Sequence, residues 1–206
     1  SMPLPFILYA SWGNVFDFSL NSLRTLSIII AILTHIGFYI LLTKLVRDNS
    51  KILFTAVFLV VHPYIAGFSV FIFTDMLPIT VSIFGLLAIL QNRWILWLCC
   101  SVTGILSRQY FVFFTLPVGL WYGLGYLKTR DRKQLLMVLI TSVSIFPALL
   151  LFALWGGVSP RNSINHLYVG HAFSYHPEYL TLYISQLFLY LSPLFLVKWR
   201  TFYTNR

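Results

Sequence analysis

The stretch Phe71-Ile72-Phe73-Thr74-Asp75-Met76-Leu77 sets one carboxylate inside an almost unbroken apolar run from Ile52 to Leu90. A charge at the centre of a bilayer is costly, so an acid in such a run is tolerated at an interface or against a cavity, not in lipid. The composition shows that lipid is the relevant solvent. Of the 206 residues, 59% are hydrophobic, 18% aromatic and only 9% charged, whereas soluble globular chains carry roughly a quarter charged residues. Repeated apolar stretches of about 20 residues are the mark of helices that cross a membrane.

Working outward from Asp75, charged and polar breaks cut the chain into apolar segments at 24–46, 52–66, 72–91, 94–107, 110–127, 134–156 and 179–197. The fourth is short for a crossing, but 52–91 and 94–127 read as hairpins of two crossings each, at about 17 or more residues per crossing. The expected fold is therefore an all-α polytopic transmembrane bundle of about seven spans, forming a single domain over 1–206 with an outer loop at 157–178. His62-Pro63 interrupts the run before Asp75. Proline removes a backbone donor and permits a kink or helix end, which predicts an irregular apex from Pro63 to Pro78 facing a protein-lined cavity.

The net charge of +9 does not call for nucleic acid, because the cations sit in the breaks between apolar runs. Lys44, Arg47, Lys51, Arg93, Lys128, Arg130, Arg132, Lys133, Lys198, Arg200 and Arg206 fall on one side, and only Arg24, Arg108 and Arg161 on the other. The cation-rich side should be cytoplasmic. That puts the N-terminus, Asp75, Arg108 and the 157–178 loop on the outer face. Cys99 and Cys100 are adjacent within an apolar segment, a pattern of packing rather than of a metal or redox site. The N-terminal SMPLPFILYASWG has no basic region ahead of its apolar part, unlike a signal peptide.

Most groups able to act on a substrate gather on the outer face. Arg108, in Ser107-Arg108-Gln109-Tyr110, suits bidentate binding of a phosphate or pairing with a carboxylate; the plainer reading is a snorkelling interface residue. Asp75 could accept a proton, bind a sugar hydroxyl or pair with Arg108, and could equally cap the helix starting at Met76. Arg161 and His171 are weaker candidates for phosphate or sugar contact. His166, His171 and His176 recur every five residues, without the tight paired spacing of zinc ligands, so no metal is expected. His35 reads as a packed or helix-bridging residue. Neither a glycine-rich phosphate loop nor a nucleophile motif occurs, and no cofactor is expected.

Several stretches together resemble the membrane-embedded GT-C glycosyltransferases that use polyprenyl-phosphate sugars. These are Pro3-Leu4-Pro5-Phe6-Ile7-Leu8-Tyr9, Ser22-Leu23-Arg24, His62-Pro63-Tyr64 and Thr74-Asp75. Within that class the chain is most similar to the dolichyl-phosphate-glucose α-1,2-glucosyltransferases. Phe73-Thr74-Asp75 approximates their Tyr-Thr-Asp element, and Arg108-Gln109-Tyr110-Phe111 matches the first half of their Arg-Gln-Thr-Asn element. Trp155-Gly156-Gly157 through His171, His176 and Gln186 resembles their Trp-to-Gln stretch.

The resemblance implies an inverting transferase that moves a sugar from a polyprenyl- or dolichyl-phosphate donor to a lipid-linked glycan or other hydroxyl acceptor. The reaction would occur at the outer or luminal face of a prokaryotic plasma membrane or an endoplasmic reticulum membrane. It also implies a catalytic acid in a first outer loop, which would precede Ser1, so that the chain reads as a fragment in which Asp75 is at best a second carboxylate. Arg108, Arg161 and His171 would then contact phosphate, and Asp75 the acceptor or Arg108. The rival class is a transporter or lipid flippase with Asp75 and Arg108 paired on a substrate path; such proteins often carry internal repeats, and none is visible.

The charge asymmetry has a direct test. Single cysteines at Asn49 and Asn165, in a chain lacking Cys99 and Cys100, should react with an impermeant maleimide from opposite sides of the membrane. Labelling of both from one side would overturn the topology.

Overall fold

The computed structural model describes residues 2–155, apart from Phe73 and the side chain of Tyr64, and these residues are built from helices without strands. They form α1 (Leu4–Phe16), α2 (Leu20–Leu45), α3 (Asn49–Val61), α4 (Pro63–Val70), α5 (Met76–Leu90), α6 (Trp94–Ser107), a 3-10 turn (Gln109–Phe111), α7 (Val112–Thr129) and α8 (Arg132–Trp155). The expected segment 179–197, the 157–178 loop, Arg161 and His171 lie outside the described residues. Among the described residues, Leu20–Leu45, Gln109–Thr129 and Arg132–Trp155 are long and apolar enough to cross a membrane by length and composition. The helices Asn49–Val61, Met76–Leu90 and Trp94–Ser107 are apolar but shorter.

Local chemistry sets most boundaries. Pro5 occupies the first turn of α1, where a missing N–H costs nothing. The Ser19 hydroxyl accepts from the Ser22 N–H to start α2, and the Asp48 carboxylate accepts from the Ser50 and Lys51 N–H groups to start α3. His62 is extended, at φ −63° and ψ 124°, as the residue before a proline must be, and Pro63 opens a new helix. The irregular stretch expected from Pro63 to Pro78 is accordingly shorter than predicted: α4 resumes at once, and only the turn before Met76 is non-helical. Asn92 and Arg130 adopt left-handed conformations, at φ 54° and 56°, where α5 turns into α6 and α7 ends.

The apolar segments read from the sequence do not anticipate α1 as a packed element. It runs antiparallel to α2, with the Tyr9 hydroxyl 2.7 Å from that of Ser27 and the Trp12 indole donating to the Ser22 carbonyl at 3.0 Å. Just ahead of it, Met2 is fully buried in a cluster with Ile105, Phe111 and Ala148. α5 packs between α2 and α6, and α8 packs against α6 and α7. The interior is tied by hydroxyl and indole contacts, Thr34 to Thr80 at 2.6 Å and Trp97 Nε1 to Thr141 Oγ1 at 2.9 Å. Such interhelical bonds average about 0.6 kcal/mol in membranes. The outside is as apolar as the inside, with Phe113, Trp121, Ile95 and Leu154 each more than 70% exposed, the pattern of helices solvated by lipid.

Register places the ends of α5 relative to α2. Thr34 bonds Thr80, Gly37 packs on Ile83 and Phe84, and Leu41 clusters with Leu87, so the two helices run parallel. Ile30 then lies beside Met76, in one cluster, ten residues after Leu20 where α2 begins. At 1.5 Å per residue, α5 starts roughly 15 Å along α2 from its N-terminal end.

Two glycines separate close packing from open space. A Cβ on Gly104 would collide with the Phe111 ring, whereas nothing lies within 4 Å of one on Gly67. Gly104→Ala should therefore cost about 1–3 kcal/mol by overpacking. Gly67→Ala should be neutral or stabilising by up to about 1 kcal/mol through the unfolded state. Denaturation of the two variants in neutral detergent measures the difference, and equal stabilities would contradict the packing of Phe111 on Gly104.

Candidate functional site

The turn between α4 and α5 carries Thr74 and Asp75, and the corner between α6 and α7 carries Arg108 and Tyr110. Because α5 and α6 form an antiparallel hairpin, its open end brings these two segments together. Arg108 caps the C-terminus of α6 in an extended conformation, its N–H donating to the Gly104 carbonyl at 2.9 Å. The chain then turns through the 3-10 segment, and Phe111 folds back over Gly104. A side chain at position 104 would block that return, so Gly104 is part of what aims Arg108.

The Arg108 Nη2 donates to Asp75 Oδ2 at 2.8 Å and also to the Thr74 hydroxyl. The Nε lies 2.8 Å from Asp75 Oδ1, but it has no directed hydrogen bond: the N–H points off that oxygen, leaving a charge contact. Tyr110 completes the cluster by donating its hydroxyl to Asp75 Oδ1 at 2.8 Å. Both charged side chains are about 24% exposed, reachable from outside yet largely removed from solvent. Tyr110 is about half exposed.

Asp75 does not cap α5. It sits at the N-cap position with helical backbone angles, φ −82° and ψ −17°, and its side chain accepts no bond from the first turn. The capping use is therefore not the one adopted, and the carboxylate is committed to Arg108 and Tyr110. Helix dipoles still favour the arrangement, since an anion lies at the N-terminal end of α5 and a cation at the C-terminal end of α6.

Of the site residues expected from the sequence, Asp75 and Arg108 meet; Arg161 and His171 lie outside the described residues. Arg24 sits near the N-terminal end of α2, and its Nε is buried without a hydrogen-bond partner among the described residues. His35 bonds within its own helix, Nδ1 lying 2.6 Å from the Ala31 carbonyl oxygen, so the helix-bridging reading finds no described partner. Thr74 and Tyr110 are the site residues to which sequence reasoning assigns no role. The available signal is adjacency, each lying within two positions of one of the two charges. The chain matches no protein-family model, no curated protein and no solved structure.

The ion pair should show energetic coupling. Arg108→Ala strands a largely buried carboxylate and is expected to cost about 1–3 kcal/mol. Adding Asp75→Asn should recover part of this, with a coupling of about 1 kcal/mol or more from a double-mutant cycle in detergent. Strict additivity would mean that the two side chains do not interact in the folded protein.

Proposed function

We propose that this chain belongs to a membrane glycosyltransferase of the GT-C type, in which Arg108 binds the phosphate of a polyprenyl-linked sugar at the outer face. The observation that carries the reading is convergence. Thr74-Asp75 and Arg108-Gln109, the two segments that resemble elements of the dolichyl-phosphate-glucose transferases, lie more than 30 positions apart and meet in one hydrogen-bonded cluster. The cluster sits at the end of a hairpin that starts below the outer end of α2. A substrate with a polar head and an apolar tail fits that depth.

The chemistry assigned to each group follows from its type. A guanidinium presents a planar fork to phosphate oxygens and stabilises the lipid phosphate as it leaves. A carboxylate beside it orients or deprotonates an acceptor hydroxyl, and Asp75 takes that place in this proposal. Tyr110 and Thr74 hold the two charges in register. No nucleotide or metal enters the proposed reaction.

A second reading draws on a specific feature, the break of the α3–α4 helix at His62-Pro63. Discontinuous helices beside an intramembrane ion pair also suit a transporter or flippase. Lipid translocation by reconstituted protein, without sugar transfer, would favour it.

The test uses the full-length natural protein with a polyprenyl-phosphate sugar. Arg108→Ala should chiefly raise the KM for donor, and Arg108→Lys should recover only part of the loss because the fork is absent. Asp75→Asn should lower turnover by about 100-fold or more if the carboxylate handles a proton. Parental donor use by all three variants, with normal insertion, would remove the proposal.

A further inference from the structure

One guanidinium edge that suits a phosphate, the Nε/Nη2 side, is already occupied. Arg108 turns its Nε and Nη2 side toward Asp75, and those two nitrogens lie 2.8 Å from Oδ1 and Oδ2 respectively. A carboxylate and a phosphate present the same pair of oxygens to that fork. The second Nη2 hydrogen is taken by the Thr74 hydroxyl. An anion arriving at this edge therefore competes with Asp75.

Asp75 has a second holder. Tyr110 donates to Oδ1, and this bond does not involve Arg108. A carboxylate losing its cation in a largely buried place would ordinarily be left uncompensated, at considerable cost. With Tyr110 in place it keeps one charge-assisted hydrogen bond after the guanidinium turns away. The same bond draws charge from Asp75 while the pair is intact, which loosens its hold on Arg108.

We propose that Asp75 is a built-in counter-anion that occupies the phosphate edge of Arg108 in the empty protein, that an anionic ligand binds by displacing it, and that Tyr110 is the positioning residue that holds the displaced carboxylate. The inference rests on the reading of Arg108 as the phosphate-binding group. It adds that Asp75 opposes binding, although the same carboxylate is needed for turnover. Ligand affinity and catalytic rate are thereby set against each other at one residue. The empty site is also kept closed to weakly bound anions, since each must offset the ion pair before it gains Arg108.

Binding of dodecyl phosphate and of inorganic phosphate to the full chain in neutral detergent, measured by calorimetry, tests this without reference to sugar transfer. Asp75→Asn removes the competing charge and should tighten dodecyl phosphate binding roughly tenfold, the worth of one charge-assisted bond. Tyr110→Phe should weaken it about fivefold. Arg108→Gln should abolish it. A gain confined to dodecyl phosphate would identify a lipid headgroup as the ligand, and an equal gain for inorganic phosphate would identify free phosphate; both outcomes support exchange. Binding lost in Arg108→Gln but unchanged or weaker in Asp75→Asn would overturn the exchange while leaving Arg108 as the anion group. Parental binding by Arg108→Gln would overturn the underlying reading itself. Tyr110→Phe keeps the ion pair, so it carries the test alone if Asp75→Asn fails to accumulate: unchanged or tighter binding by that variant would also refute the exchange.

Discussion

A charge largely removed from water must find its opposite, and the pairing of Arg108 with Asp75 meets that constraint at the open end of the α5–α6 hairpin. The two side chains come from turns that the antiparallel α5–α6 hairpin brings to the same end. Their contact ties the start of α5 to the end of α6, beside the corner that leads into α7. Dipole alignment reinforces the choice, because reversing the two charges would put a cation at the start of α5 and an anion at the end of α6. The pair is thus favoured by Coulomb attraction and by the backbone together.

The surrounding bundle serves this arrangement through small residues and short polar contacts. Gly85 lets Trp97 lie against α5, with 3.0 Å from the indole ring to where a Cβ would stand, and the buried indole then reaches Thr141 on α8. Gly104 admits Phe111. Each of these closes a gap between helices that share no hydrophobic driving force in lipid, where packing and hydrogen bonds must hold the helices together. Prolines inside α7 and α8, Pro117 and Pro147, are tolerated in that setting because neighbouring helices and hydroxyls help satisfy the freed carbonyls.

Much of this is legible from residue order, and the rest is not, for definable reasons. Proline chemistry reveals the break at His62-Pro63, and charge placement puts Asp75 and Arg108 at the same end of adjacent hairpins, from which their pairing follows. α1 escapes a reading by span length because 13 residues are too few for a crossing, and its role depends on partners such as Ser22 and Ser27 that only the fold brings alongside. The irregular turn is shorter than proline placement suggests, since Pro63 ends one helix but is also well suited to begin another. The non-capping conformation of Asp75 cannot be read from its position: a capping aspartate and a paired one have the same sequence signature. Thr74 and Tyr110 likewise acquire meaning only once the fold places them around the two charges.

Depth joins the fold to the proposed chemistry. α5 has 15 residues and α6 has 14, a rise of roughly 21–22 Å against a hydrocarbon core of about 30 Å. The register with α2 places the shortfall at the end where Asp75 and Arg108 lie, and not at the opposite end, where Leu41 and Leu87 remain level. Under the proposed function, a lipid-linked anion entering from that end would meet the Arg108 cation while its tail stayed beside apolar helices. The partial burial of the pair strengthens each electrostatic contact and makes either charge unfavourable when left unpaired. Under the proposed exchange, such a site would hold a resident carboxylate when empty and an anion when filled, and the acid in the stretch FIFTDML and the arginine after α6 would form one device.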